Sequence, residues 1–426
     1  MKKIFFLLTG VVVSTLTSCS IESSLSGEPT ICENYSVDTS HIPERSYNIV
    51  GTNQFELYNN VASVEQLNEN DDFYGQDASY DHLEPLYFDH CDGTITDLNT
   101  GLMWTQTTDI NGDGVMNAND KLTPEEAVDN LKEFNLGGYE DWRIPTIKEL
   151  YSLILFSGTD ASGYEEDDSS VLKPFIDEGY FQHFYGLTNE GERLIDSQYL
   201  SSTVYVDTDN YDVLTFGVNF ADGRIKGYGA RQMGVGEKTF SIIYVRGNQT
   251  YGVNDFQDNG DGTIRDHATG LMWMQQGSSD TYDWQDALGF AENSTFRGYT
   301  DWRLPTIKEL QSIVDYTKSP DTSNSPAIDD LFSLASFTNE NNELDWGSYW
   351  SSTTHVNFVN GPTNAAYISF GRSLGFMGGD WIDVHGAGAQ RSDPKTGNPS
   401  DYPRGFGPQG DAIRIFNYVL LVRREK

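Results

Sequence analysis

The chain has 426 residues and a formal net charge of −37, from 27 Lys plus Arg against 64 Asp plus Glu. A field of that sign repels polyanions, which excludes nucleic acid as a partner and leaves cations, neutral glycans and basic proteins open. The length suggests two domains with extra segments, and 8 Trp, 24 Tyr and 23 Phe supply large side chains for their cores and for stacking on ligands.

At the N-terminus, Lys2 and Lys3 precede an apolar run over residues 4–16 that is too short to span a bilayer. With Leu16-Thr17-Ser18-Cys19 it resembles a bacterial lipoprotein signal, so residues 1–19 read as a signal segment in which Cys19 is lipidated and becomes the first mature residue. An ordinary signal peptide with an incidental Cys is the alternative. Ser20 follows Cys19 where Asp would hold the protein back, which favours the outer membrane or cell surface. The lipid would be the only membrane contact. Residues 20–71 read as a polar tether and arm. The two other cysteines, Cys32 and Cys91, are expected to pair in an oxidising envelope. The closed loop of about 60 residues is worth roughly 4 kcal/mol in the chain-entropy model. A catalytic thiol is the alternative.

From there the chain is written twice. A first repeat runs over 72–247 and a second over 253–426. GYEDWRIPTIKEL at 138–150 returns as GYTDWRLPTIKEL at 298–310, and DGTITDLNTGLMWTQ from Asp92 returns as DGTIRDHATGLMWMQ from Asp261. In each repeat a hairpin is expected at Asp92-Gly93 or Asp261-Gly262. In the first, Thr123-Pro124-Glu125-Glu126 predicts a capped helix to about Asn135. In the second, a helix is expected near 283–292. Pro145 and Pro305 disfavour helix at the residue before them. Thr146 and Thr306 are then free to cap a second helix, with Glu149 and Glu309 closing the capping box. The apolar spacing of IKELYSLILF and IKELQSIVDY continues that helix. Trp142 and Trp302 are expected to anchor the core just before it. Strands close each repeat, around YLSST and YWSST and at the ends. The fold class read from this pattern is α+β.

The first repeat also holds a run of hard oxygen donors. Asp109, Asn111, Asp113, Asn117 and Asp120 stand at positions 1, 3, 5, 9 and 12, with Gly114 at 6 and the Val115 carbonyl at 7. That is calcium-loop spacing, in the form that ends in Asp, and it resembles dockerin-type loops. Calcium is therefore the expected cofactor, with an acidic turn that binds no metal as the alternative. The run falls where the first repeat is nine residues longer than the second between equivalent Trp residues, Trp104–Trp142 against Trp273–Trp302.

GQDASY, the DGT and TGLMW stretches, DWRxPTIKEL, YxSST and GPQGDAIRIFNYVLLVR together resemble the Lcl C-terminal domain family, named after the terminal domain of a bacterial collagen-like adhesin. The resemblance covers both repeats. It implies two tandem C-type lectin-like domains, each with two helices, short antiparallel strands and long loops. In that frame the Gly-rich stretch 375–410 of the second repeat would be the ligand loop. Trp350, Trp381, Arg391, Asp393 and Asp411 are the ligand candidates, with core packing the alternative for both Trp residues. The WRxPT pattern is also distantly similar to formylglycine-generating enzymes, but those need an active-site cysteine pair, and only Cys32 and Cys91 are free to serve. The expected function is non-catalytic: a lipid-anchored protein that binds a glycan or surface protein in adhesion or recognition, or else a structural envelope lipoprotein.

Overall fold

The computed structural model describes residues 37–425, except 167, 207–212, 230 and 233–235, together with the backbone of two short paired strands at Leu16–Ser18 and Glu33–Tyr35. Cys19 and Cys32 lie outside the described residues. Cys91 is disulfide-bonded, and the chain has only those two other cysteines. Among the described residues, no helix is long and apolar enough to cross a membrane.

Each repeat opens with a hairpin whose turn the sequence predicts. In the first, β1 (Tyr87–Asp89), β2 (Thr94–Asp97) and β3 (Leu102–Thr105) form a meander. Asp97 Oδ1 accepts the Asn99 N–H at 3.0 Å, which closes the β2–β3 turn at Asn99-Thr100-Gly101. Helices α1 (Pro124–Asn130) and α2 (Ile147–Tyr151) follow, then β4 (Gln198–Val206), β5 (Val213–Asn219) and β6 (Arg224–Gly229). Strand β7 (Val245–Gly247) returns to pair with β3. The second repeat follows the same order. It has β8 (Phe256–Asp258), β9 (Thr263–Asp266), β10 (Leu271–Met274), α3 (Trp284–Glu292) and α4 (Ile307–Ser312). Then come β11 (Ser348–Asn357), β12 (Gly361–Ser369), the added hairpin β13 (Leu374–Met377) and β14 (Asp380–Asp383), and β15 (Gln390–Pro394). Strand β16 (Val422–Arg424) closes on β10. The architecture is therefore antiparallel sheets with four short α-helices among the described residues.

The capping boxes form as the residues require. The hydroxyls of Thr123, Thr146 and Thr306 each accept the N–H of the Glu three residues on, and each Glu reaches back to the N–H of its Thr. The helices are shorter than their apolar spacing predicts. After Tyr151 the chain turns, because Leu155 N–H goes to Phe175 O and Phe156 N–H to Thr52 O. Tertiary partners have taken the donors that another helical turn would use. Trp142 and Trp302 are buried, and each donates its indole N–H to the carbonyl six residues upstream, Leu136 at 3.2 Å and Phe296 at 2.9 Å.

The repeats do not fold as beads on a string. Their long strands merge into one six-stranded antiparallel sheet in the order β11-β12-β15-β6-β5-β4. The seam is the β6–β15 edge, where Ile225 pairs with Gln390. The Gly227 N–H adds a bond to His385 O at 2.8 Å, and a Cβ at Gly227 would stand 2.9 Å from that oxygen. One face of the sheet carries α2 and α4 over a core that both repeats share, including Tyr151, Ile154, Val218, Ile225, Ile313 and Ile368. Separate smaller cores hold Trp142, Phe240 and Tyr244 in the first repeat, and Trp284, Trp302 and Trp350 in the second.

The PTIKEL lysines cross this interface reciprocally. Lys148 Nζ donates to Ser312 O at the end of α4, at 2.7 Å, and Lys308 Nζ donates to Ser152 O just past α2, at 2.8 Å. Each Nζ thus donates to a carbonyl at the C-terminal end of the other repeat's helix. The GQDASY segment also reaches across. Asp77 accepts the Thr353 hydroxyl, and Tyr80 hydrogen-bonds Glu292.

Candidate functional site

Strand β6 reads RIKGYG. Alternate residues of a strand face opposite sides, so Arg224, Lys226 and Tyr228 share the face opposite Ile225. Ile225 is fully buried in the shared core. The turn before β6 is tight: Gly223 sits at φ 66°, and its N–H returns to Asn219 O at 2.9 Å. A Cβ there would meet the Phe175 ring at 2.5 Å. This turn sets Asp222 beside the cations. Lys226 Nζ lies 3.0 Å and Arg224 Nη1 3.6 Å from Asp222 Oδ2.

Above this face lies a cavity of about 730 Å³, lined from both repeats. The first repeat supplies the residues 160–164 loop, β6 and Lys238, and the second supplies Asn364, Arg391 and the turn around Phe406. The walls are tied together directly. Arg224 Nη2 lies 2.9 Å from Asp160 Oδ2 and donates to Ser392 Oγ at 3.3 Å across the seam. Asp160 itself pairs with the second repeat, its N–H on Val356 O at 2.8 Å and its carbonyl taking the Phe358 N–H at 2.9 Å.

The electrostatics are unusual for so acidic a chain. Five cations line the cavity: Arg193, Arg224, Lys226, Lys238 and Arg391. Four carboxylates accompany them: Asp160, Asp196, Asp222 and Asp411. Burial pulls Lys226 down to about 8 against the opposing charge of Asp222, and burial likewise pulls Lys238 down to about 8. Burial and then the like charge of Arg224 bring Arg391 down to about 10. All three remain cationic at neutral pH. His355, whose Nε2 lies 2.9 Å from Asp222 O, is pulled to about 4 by burial and by Arg224, and is neutral.

Several polar atoms here are left without partners. Arg391 is 7% exposed and pairs with Asp411, yet among the described residues its Nε and Nη1 have no hydrogen-bond partner. The buried Tyr228 hydroxyl has none either. Lys238 Nζ donates to the neutral Gln198 Oε1 at 2.8 Å and lies 5.3 Å and 5.7 Å from the centres of the Phe240 and Tyr228 rings.

Of the ligand candidates, Arg391 and Asp411 meet at this cavity, with His385 Nε2 on Asp411 at 2.8 Å. Trp350 is fully buried in the second repeat's core, its indole N–H on Tyr282 O at 2.8 Å. Asp393 is a buried acceptor for the Ile415 N–H at 2.9 Å and the Arg414 N–H at 3.1 Å, and burial raises it to about 6. Trp381 lies away from the cavity, at a shallow cleft beside Tyr402 and Arg414. The Gly-rich stretch is only partly loop, because β15 within it is a central strand of the sheet. The first repeat's share of the site went unread in the sequence. The one signal for it was the alternation of Arg224, Lys226 and Tyr228 along a short strand.

The loop at 109–120 folds on itself. Asp109 accepts the N–H groups of Gly112 at 2.8 Å, Asp113 at 3.2 Å and Gly114 at 2.8 Å. Asn111 accepts the Asp113 N–H at 2.9 Å, and Asp113 accepts the Val115 N–H at 2.8 Å. The buried Asp120 takes the Asn117 N–H at 2.9 Å, and the Val115 carbonyl accepts Asn117 Nδ2 at 3.1 Å. Among the described residues, no group of three or more His, Cys, Asp or Glu stands close enough to hold a metal ion.

No curated protein and no solved structure matches the chain. The family model of the Lcl C-terminal domain matches residues 93–245 and again 262–381, more than half of the chain in all. The two matched stretches each contain a strand pair, β2–β3 or β9–β10, the capped PTIKEL helix and the first two long strands of their repeat, so the chain belongs to the Lcl C-terminal domain family and carries that domain twice.

Proposed function

We propose that the chain is a non-catalytic envelope lipoprotein, anchored by lipid at Cys19, that binds a ligand between its two repeats in adhesion or recognition. The observation that supports this most is the cavity at the β6–β15 seam. At about 730 Å³ it falls within the usual range of small-ligand sites. It exists only because both repeats wall it, which gives the duplication a use. The ligand is a glycan or an accessible part of a surface protein. All four of the cavity's carboxylates, Asp160, Asp196, Asp222 and Asp411, are paired with cations rather than set beside a nucleophile, which supports binding over catalysis. Each repeat is read as C-type lectin-like on its two helices, its closing strand and the long segment before that strand. Metabolic labelling with a fatty acid reads the Cys19 anchor directly.

The test is a glycan and surface-protein screen of the whole mature protein beside Asn364→Trp, which sets an indole into the cavity from β12. Binding that survives undiminished in a normally folded Asn364→Trp protein would place the ligand elsewhere.

Calcium in the first repeat belongs to the same reading. Its support is the order of hard oxygen donors at 109–120, with the Asp109, Asn111 and Asp113 side chains oriented by the loop's own N–H groups. Asp109, Asn111, Asp113, Asn117 and Asp120 would hold the ion by side-chain oxygens, and Val115 by its carbonyl. Bound calcium would offset most of the charge of the loop's three carboxylates and stiffen it ahead of α1. Calcium at a hundredfold excess over its dissociation constant should add about 2.7 kcal/mol and raise the melting temperature. The double substitution Asp109→Ala, Asp113→Ala should abolish the rise. An equal rise in that variant would locate the ion at another site.

A further inference from the structure

Building on that reading of the cavity, we infer that its ligand is a small hydroxylated monocarboxylate, with an acidic monosaccharide as the best-fitting class. Charge is the first reason. The five lining cations exceed the four carboxylates by one, inside a chain whose net charge is −37. One negative charge completes the site. A phosphate dianion would overshoot it against those carboxylates, and the acidic exterior repels extended polyanions.

The unpartnered donors are the second reason. A buried guanidinium nitrogen without an acceptor is costly to leave unmade, and a carboxylate is the acceptor that gives it a charge-assisted hydrogen bond. Arg391 is in that state, and Tyr228 lines the same cavity with a buried hydroxyl that has no partner among the described residues. Lys238 Nζ lies 5.7 Å from the centre of the Tyr228 ring and donates to the neutral Gln198 Oε1, so a second cation stands over that ring. The third reason is the rest of the wall. Asn364, Thr363 and Ser162 offer neutral groups to hydroxyls. At the rim, Phe406 is 64% exposed and Tyr164 also lines the opening, so aromatic faces are available to a sugar ring.

The test is calorimetric titration of the mature protein with D-glucuronate, D-glucose and D-glucose 6-phosphate, three probes that share a ring and differ in charge. Glucuronate should bind at least about tenfold more tightly than either of the others, a factor equal to about 1.4 kcal/mol. Arg391→Gln should weaken glucuronate at least about tenfold. Since Arg391 is buried and its loss could disturb the seam, Lys238→Met provides a second variant at a half-exposed position, also expected to weaken glucuronate. Asn364→Trp should block it.

If glucose binds as tightly as glucuronate and Asn364→Trp abolishes both, the cavity stands as the ligand site and the carboxylate inference falls. Tighter binding of the phosphate also overturns the inference. Glucuronate binding that persists in Asn364→Trp overturns both the inference and the cavity reading. Absence of glucuronate binding at millimolar concentration overturns the inference.

Discussion

Glu309→Gln is expected to destabilise the chain by about 3–5 kcal/mol, the cost of removing one partner from a buried ion pair. Arg303 and Glu309 are 6% and 4% exposed at their side chains. The guanidinium meets both carboxylate oxygens, Nη1 on Oε2 and Nη2 on Oε1, each at 2.7 Å. Burial alone would push Glu309 up, but Arg303 holds it down to about 2. The pair therefore stabilises the fold above the ordinary range of a glutamate, and that contribution is lost as pH falls toward 2. Gln keeps an oxygen for the Thr306 N–H, so the capping box survives and the charge alone is removed. Arg303 is then left buried against a neutral amide. The equivalent Glu149→Gln should cost less, because the Arg143 side chain is 30% exposed and water replaces part of what is lost. Chemical denaturation of the two variants measures both effects. A loss below about 1 kcal/mol for Glu309→Gln would mean that solvent already reaches the pair.

Between pH 7 and 9 the parent protein should gain about 2 kcal/mol of stability relative to Lys308→Met, from a limiting slope of about 1.4 kcal/mol per pH unit for one proton. Lys308 is 3% exposed, and its Nζ donates to Ser152 O at 2.8 Å and Gly51 O at 3.2 Å, both neutral. Burial lowers it from an ordinary value of 10.5 to about 7, against the weaker pull of Asp97 and Asp77. Over that window the unfolded chain holds a proton that the folded chain has largely released, so raising pH favours folding. Lys308→Met leaves two carbonyls unpaired and is expected to be less stable at pH 7. The slope, not the absolute value, is therefore the measured quantity. Lys148, lowered to about 8 by burial, contributes equally to both proteins and drops out of the difference. The buried tyrosines, such as Tyr151, are shifted upward from 10.0 and titrate above the window. Equal slopes in denaturation series of the two proteins would show that Lys308 keeps its proton when folded.

The expected results divide along the line between local and distant information. The capped starts of α1, α2 and α4 were legible, because a cap is set by residues within four positions of one another. The hairpin turns before β2 and β9 were legible for the same reason. The burial of Trp142 and Trp302 followed from their place just ahead of a helix with an apolar face. The lengths of α2 and α4 were not legible. Phe175 and Thr52, far away in sequence, decide where α2 gives up its donors. Arg391 and Asp411 were picked from a Gly-rich run and do reach the cavity, whereas Asp393 came from the same run and is internal; Trp350, weighed as a stacking face against core packing, lies in the core. Residue type marks what a side chain can do, while burial depends on which sheet covers it.

By itself the sequence determined the duplication, the order of elements within each repeat, the caps and turns that start them, and the net charge of −37. These are consequences of spacing and short-range sterics. Only the tertiary structure decided that β6 of one repeat would pair with β15 of the other. A strand edge offers the same row of N–H and C=O groups to any partner, so nothing in RIKGYG or QRSDP names the other. That one pairing turned two domains into one sheet and sent Lys148 and Lys308 across to each other's helices. It also set Arg224, Lys226 and Tyr228 opposite Arg391, forming a cavity that neither repeat contains alone.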